Sequence, residues 1–161
     1  MSPILREADN AEVAACGSTP EKALSDGIRM SDTCYTGLYR DKYVCMFGVV
    51  PLWDPAECSV GVGAIWLLGT NQLQDNPRSF IKVSPGWIRM FHRRWAVLTN
   101  MVDVRNSLHL DWLDHMGFVY GDIQLQGPQK LPFVQMTHYA TTEAKETVEC
   151  ATPTQSPSDS Q

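Results

Sequence analysis

Apolar residues recur along this chain at two spacings, and the alternation between them predicts its elements. A short strand is expected near Ile4 to Glu7, followed by a polar, alanine-containing stretch from about Ala11 to Met30 that suits one or two short helices. The segments CYTGLYR and YVCMFGVVPLW carry the aromatic and β-branched residues favoured on pleated surfaces, and Asp41 and Lys42 between them predict a hairpin turn. SVGVGAIWLLGT is nearly continuously apolar, as a central strand covered on both faces should be. Asn76 and Pro77 then read as a helix start, with Phe80, Val83, Trp87 and Phe91 repeating at three- and four-residue steps. Pro85 and Gly86 interrupt that repeat, so the helix should kink or divide there.

The second half is patterned more tightly. WAVLTNMVD predicts a strand, and a short helix follows in which Leu108, Trp112 and Met116 recur every four residues beside Leu113. Asn106 can accept a hydrogen bond from the first free amides of that helix, and Gly117 can take the left-handed conformation that ends it. VYGDIQL and FVQMTHYA make a final strand pair joined through Gly127 and Pro128. The sum is a mixed α/β (α+β) domain with a mostly antiparallel central sheet flanked by helices, spanning residues 1–140. From Thr141 the composition shifts to TTEAKETVECATPTQSPSDSQ, which reads as a flexible tail over 141–161 or as an arm ordered by a partner.

With 161 residues and 43% hydrophobic content, the chain can build one core of ordinary size. The formal net charge of −5 argues against a broad attraction to nucleic acid. No apolar run reaches the ~20 residues a bilayer-spanning helix needs, so membrane insertion is not expected, and the N-terminal decapeptide lacks a secretory apolar core. Cys16, Cys34, Cys45, Cys58 and Cys150 are odd in number and fit no zinc spacing, so reduced thiols and no metal site are expected. Neither a GxSxG elbow nor a GxxxxGK[ST] loop is present.

Three strings, IWLLGTNQLQDNPRSFIK (65–82), NMVDVRNSLHLDWLDHMGF (100–118) and GPQKLPFVQM (127–136), resemble in their order the GNAT superfamily of N-acetyltransferases. More narrowly the chain is similar to the GNAT-like proteins encoded in structural gene cassettes of tailed bacteriophages. The superfamily resemblance implies acetyl-CoA as cofactor, in a split between two central strands, with its pyrophosphate on amides at a helix N-terminus. The residues so implicated are Leu68, Gly69, Arg78, Ser79 and Asn106. The phage resemblance implies a role in virion assembly or in the virion interior, with other virion or host proteins as partners, and a location in the host cytoplasm during infection, with the virion interior as the alternative. An active N-acetyltransferase acting on a protein amine is the other function implied.

Two parts of the superfamily's machinery are altered here. GTNQLQDNPRS lacks the paired small residues of the usual phosphate turn, Pro77 removes one amide donor, and Asp75 adds a repelling carboxylate. Arg78 can compensate with positive charge or can be an exposed arginine of the first helical turn. The tyrosine that commonly protonates the leaving thiolate is replaced by Leu113, which cannot transfer a proton. Candidate replacements are His109 and His115, imidazoles on the same short helix that can equally be partly exposed polar-face residues. Asp54 and Glu57 are candidate bases in a loop that needs polar residues in any case.

Overall fold

The structure, a computed structural model, describes residues 5–54 and 60–151, with the backbone alone for 148–151. Its centre is a six-stranded sheet of order β1-β2-β3-β4-β6-β5. The strands are β1 (Thr33–Tyr39), β2 (Lys42–Trp53), β3 (Val62–Gly69), β4 (Val97–Asp103), β5 (Val119–Gln126) and β6 (Leu131–Tyr139). Every neighbouring pair is antiparallel except β3 and β4, which run parallel. The mixed, mostly antiparallel sheet expected from the sequence is therefore present.

Helices α1 (Glu7–Ala15) and α2 (Pro20–Met30) lie over one face, and α4 (Pro77–Phe91) and α5 (Ser107–His115) over the other. The alternation of side chains along β3 fixes this arrangement. Trp66 points to the α2 side, where its indole nitrogen donates to Ser31 Oγ at 2.8 Å and its ring lies against Gly27. Ile65 points the other way, into a core with Phe47, Ile88, Phe91 and Leu98. Trp95, Leu98, Val102 and Met136 are at most 1% exposed, and burial of each such side chain contributes about 1.5–3 kcal/mol.

Several local expectations are corrected. The stretch read as a first strand contributes only Leu5, bridged to Thr70, because the chain enters α1 at Glu7; Ile4 lies outside the described residues. The β1–β2 turn is Arg40–Asp41, both at positive φ, and Lys42 already pairs with Tyr39. A one-turn helix, α3 (Asn71–Asp75), intervenes before α4, with Thr70 Oγ1 accepting from Gln72 N. Asn76 consequently does not cap α4; its Nδ2 donates back to Gln72 O at 3.2 Å.

Helix α4 runs unbroken through Pro85. The carbonyl that loses its donor belongs to Ile81, which is 40% exposed, so water can take the missing partner's place. In α5 the buried face is His109 and Leu113, whereas Leu108 is 51% exposed. Residues 142–151 of the expected tail form helix α6 (Thr142–Ala151), which buries Ala144; residues 152–161 lie outside the described residues. No described helix is long and apolar enough to cross a membrane.

Candidate active site

Strands β3 and β4 are paired only at Val62–Val97, Gly63–Leu98 and Ala64–Thr99. Beyond Ala64 and Thr99 they separate, and the sheet opens. On the α4 side the opening is a cavity of about 350 Å³, lined among others by Cys45, Phe47, Ser79, Phe80, Trp87 and Trp112. On the α1–α2 side it is a second cavity of about 290 Å³, lined by Asp9, Glu12, Val13, Asp26, Met30 and Leu68. Ile65, Trp66, Leu67, Asn100 and His109 border both. A third recess of about 180 Å³ leads from the same gap to Pro77 at the start of α4, and Arg6 and His109 line it too. The gap thus passes through the sheet, and His109 stands where its three parts meet.

His109 is held there from three directions. Asn106 anchors the start of α5, its side-chain oxygen accepting from His109 N at 3.4 Å. Asn106 Nδ2 also donates to Glu12 Oε2 at 2.6 Å, and that oxygen lies 3.8 Å from His109 Nδ1. Asn100 Nδ2 lies 3.5 Å from His109 Nε2. The expectation of a partly exposed histidine is corrected here: His109 is 6% exposed. It is buried because α5 turns its His109–Leu113 edge, not its Leu108 edge, to the sheet. His115 is on the exposed side of α5 and borders none of these cavities.

The remaining candidates divide in the same way. Leu113 is fully buried in the core and does not obstruct the gap. Trp66 borders it but is drawn aside by Ser31 and Gly27. Ser79 lines the α4-side cavity and Leu68 the other. Gly69 is engaged elsewhere: its N–H donates to Asp9 Oδ2 at 2.6 Å and its carbonyl accepts from Arg6 N at 2.9 Å, so its amide has no donor to offer a ligand. Arg78 is exposed on the first turn of α4. Asp54 is ion-paired with Arg94 at 3.2 Å, and Glu57 lies outside the described residues.

Residues that sequence reasoning did not single out complete the site. Arg6 is 3% exposed, ion-paired with Asp9 at 2.7 Å, and its Nε is a buried nitrogen without a hydrogen-bond partner. Glu12 reaches the site from a helix 94 positions before Asn106, a separation that no local spacing could signal. Cys45 borders the cavity, but burial pushes its thiol up to about 11, so it stays protonated at neutral pH and is no nucleophile. Burial, then the charges of Glu12 and Asp103, raises the Cys16 thiol as well. Among the described residues no group of three or more metal-ligating side chains occurs.

The sequence matches no family model and no curated protein. Solved structures do match. An acetyltransferase from Bacillus subtilis, in complex with CoA, aligns with a TM-score of 0.61 at 12% identity, over 85% of this chain and 97% of that one. An aminoglycoside N(6')acetyltransferase from Legionella pneumophila gives 0.59 at 10% identity, over 78% and 74%. An acetyltransferase of the GNAT family from Streptococcus pneumoniae gives 0.53 at 11% identity, over 75% of each chain. Parallel strands that part midway, helices on both faces and these alignments together establish that the chain has the fold of the GNAT acetyltransferases.

Proposed function

We propose that the protein is an acetyl-CoA-dependent N-acetyltransferase whose cofactor occupies the gap between β3 and β4. The observation that carries this reading is the opening itself, which joins cavities on the two faces of the sheet past Leu67, Asn100 and His109. A thioester entering from one face and an amine from the other would meet without either crossing the core. Structures similar in fold have been solved with CoA, which makes that cofactor plausible.

The residues present fit such a cofactor. Helix α4 starts without a side-chain cap, leaving its first amides, including those of Arg78 and Ser79, without intrahelical partners, and the positive end of its dipole favours a phosphate. The unpartnered Nε of Arg6 borders the recess that leads there. The phosphate cradle on this reading is the α4 start with Arg78 and Ser79, replacing the usual small-residue turn that Gly69 and Thr70 cannot supply. When bound, the cofactor supplies an acyl carbon open to attack by an amine. On the opposite face, Asp9, Glu12 and Asp26 line the second cavity; Asp9 is paired with Arg6 and Asp26 with Lys22 and Arg29, but no lysine or arginine lines the cavity itself, which suits an acceptor that arrives as an ammonium ion.

A second reading is protein binding without catalysis, the virion-assembly or virion-interior role among host or virion proteins that the phage resemblance implies. It draws on β5, where Val119, Tyr120, Ile123 and Leu125 are about half to two-thirds exposed. Calorimetric titration with CoA separates the two. Saturable micromolar binding, weakened about tenfold by Arg78→Ala as loss of one charge-assisted phosphate contact would do, supports the transferase. Silence at millimolar CoA overturns it and favours the second reading.

A further inference from the structure

Resting on the transferase reading, we infer that His109 is the group that moves the proton in acyl transfer, serving both faces of the sheet, with Glu12 as its positioning residue. The position argues for it first. His109 borders the cavity on the α4 side, the cavity on the α1–α2 side and the recess beside Pro77, so one imidazole faces both the space assigned to the thioester and the space assigned to the amine. Its burial excludes bulk water from that junction. The residue that elsewhere would be expected to donate the proton is Leu113 here, and it is sealed in the core.

The two ring nitrogens have different surroundings. Nε2 faces the Asn100 amide nitrogen at 3.5 Å, and a nitrogen that faces a donor presents its lone pair. Nδ1 faces Glu12 Oε2 at 3.8 Å, an acceptor, and therefore carries the hydrogen. Glu12 is in turn fixed by Asn106 Nδ2 at 2.6 Å, so the carboxylate that orients the ring is itself oriented by the cap of the helix bearing it. This is the logic of a base held by a third group.

An acceptor that arrives as an ammonium ion first releases one proton to solvent in the α1–α2-side cavity, which frees its lone pair, and the proton balance of the transfer then closes on His109. As the acceptor nitrogen forms its bond to the acyl carbon, Nε2 takes the proton the nitrogen sheds. The imidazolium so formed lies beside the Glu12 carboxylate, which stabilises it. As the carbon–sulfur bond breaks, Nε2 gives that proton to the departing sulfur, and the products are an amide and a thiol with His109 neutral again. No second acid is required.

The test combines a spectroscopic and a kinetic measurement. Nitrogen-15 NMR of the imidazoles in the cofactor-free protein at neutral pH should find His109 protonated at Nδ1; an Nε2–H tautomer overturns the inference whatever the variants do. Thiol release from acetyl-CoA is then followed with methylamine, small enough to enter the cavity whatever the natural amine is. His109→Gln should lower kcat by about 100-fold or more, the usual range for loss of general acid–base help, while CoA affinity by calorimetry stays at the wild-type value. Glu12→Gln should lower kcat about tenfold with the KM for acetyl-CoA unchanged, as loss of orientation does. A wild type that binds CoA yet releases no thiol, or a His109→Gln variant with wild-type kcat, overturns the inference and leaves cofactor binding standing. A wild type that does not bind CoA overturns the transferase reading and this inference with it.

Discussion

His92 and His138 meet across the end of α4 and β6, with His92 Nε2 2.7 Å from His138 Nδ1 and His92 Nδ1 2.8 Å from the Trp95 carbonyl. Burial lowers the pKa of His92, and burial followed by the neighbouring imidazole charge lowers that of His138. Both rings are therefore held neutral in the fold below the ordinary imidazole value of about 6.5. The unfolded chain takes up protons first as the medium acidifies. The pair's contribution to stability is present above about pH 6.5 and is lost as pH falls from there through the lowered folded values. The expected outcome is a melting temperature lower at pH 5.5 than at pH 7.5, and a smaller difference in His138→Gln, which removes one of the two depressed titrations. Scanning calorimetry at both pH values reads this, since 1 kcal/mol moves the transition of a domain this size by about 2–4 °C. An identical drop in wild type and variant would show that the pair does not contribute. Surroundings also separate the two histidines of α5. His115 is in water, whereas His109 is placed by Glu12, Asn100 and Asn106, and only the last of these was within reach of local sequence spacing.

At the scale of elements, α4 shows what spacing reveals and what it conceals. Its apolar repeat includes buried Phe91 and half-buried Phe80 and Trp87 but takes in exposed Val83 and misses buried Ile88, and the Pro85–Gly86 pair suggested a break that does not occur. The missing hydrogen bond falls at exposed Ile81, and a Cβ added at Gly86 would meet nothing within 4 Å. Gly86→Ala should therefore stabilise the protein by about 0.5–1 kcal/mol, read as a higher urea midpoint at unchanged slope; destabilisation would mean that α4 bends there. Local rules also identified the β1–β2 and β5–β6 hairpins, the cap at Asn106 and the stop at Gly117, because each rests on neighbouring residues. They failed where a distant partner decides. Thr70 caps α3 only because β3 ends beside β2, where Thr70 Oγ1 donates to Tyr43 O at 2.8 Å. α5 shows Leu108 to solvent because His109 is engaged by α1 and β4. Arg6, a charged residue next to the N-terminus, is buried because Asp9 and Gly69 are folded against it. The scaffold was thus largely legible, whereas of the proposed acid–base arrangement the sequence offered His109 as a candidate but not Glu12, which reaches it from a distant helix.

For the whole molecule, the parting of β3 and β4 is the feature on which the proposed function turns, and it is an outcome of packing on both faces. Trp95, 1% exposed, packs close to Gly63 and helps close the core where the two strands are paired. Above that point no ladder hydrogen bonds tie β3 to β4, and Trp66 is held to the α2 side by Ser31. Leu67 borders all three parts of the gap, so enlarging it should fill the passage while leaving the paired end of the strands untouched. Ligand that binds only the folded state raises the unfolding free energy by RT ln(1 + [L]/Kd), about 2.7 kcal/mol at a hundredfold excess over Kd. Wild type should accordingly melt several degrees higher with excess CoA. Leu67→Trp should melt near the wild-type temperature without ligand, because its side chain grows into empty space, and should show no rise with CoA. A full rise in this variant would place any bound cofactor outside the gap. Loss of the rise with the fold intact would locate the cofactor between the strands, independently of turnover and of the acceptor's identity.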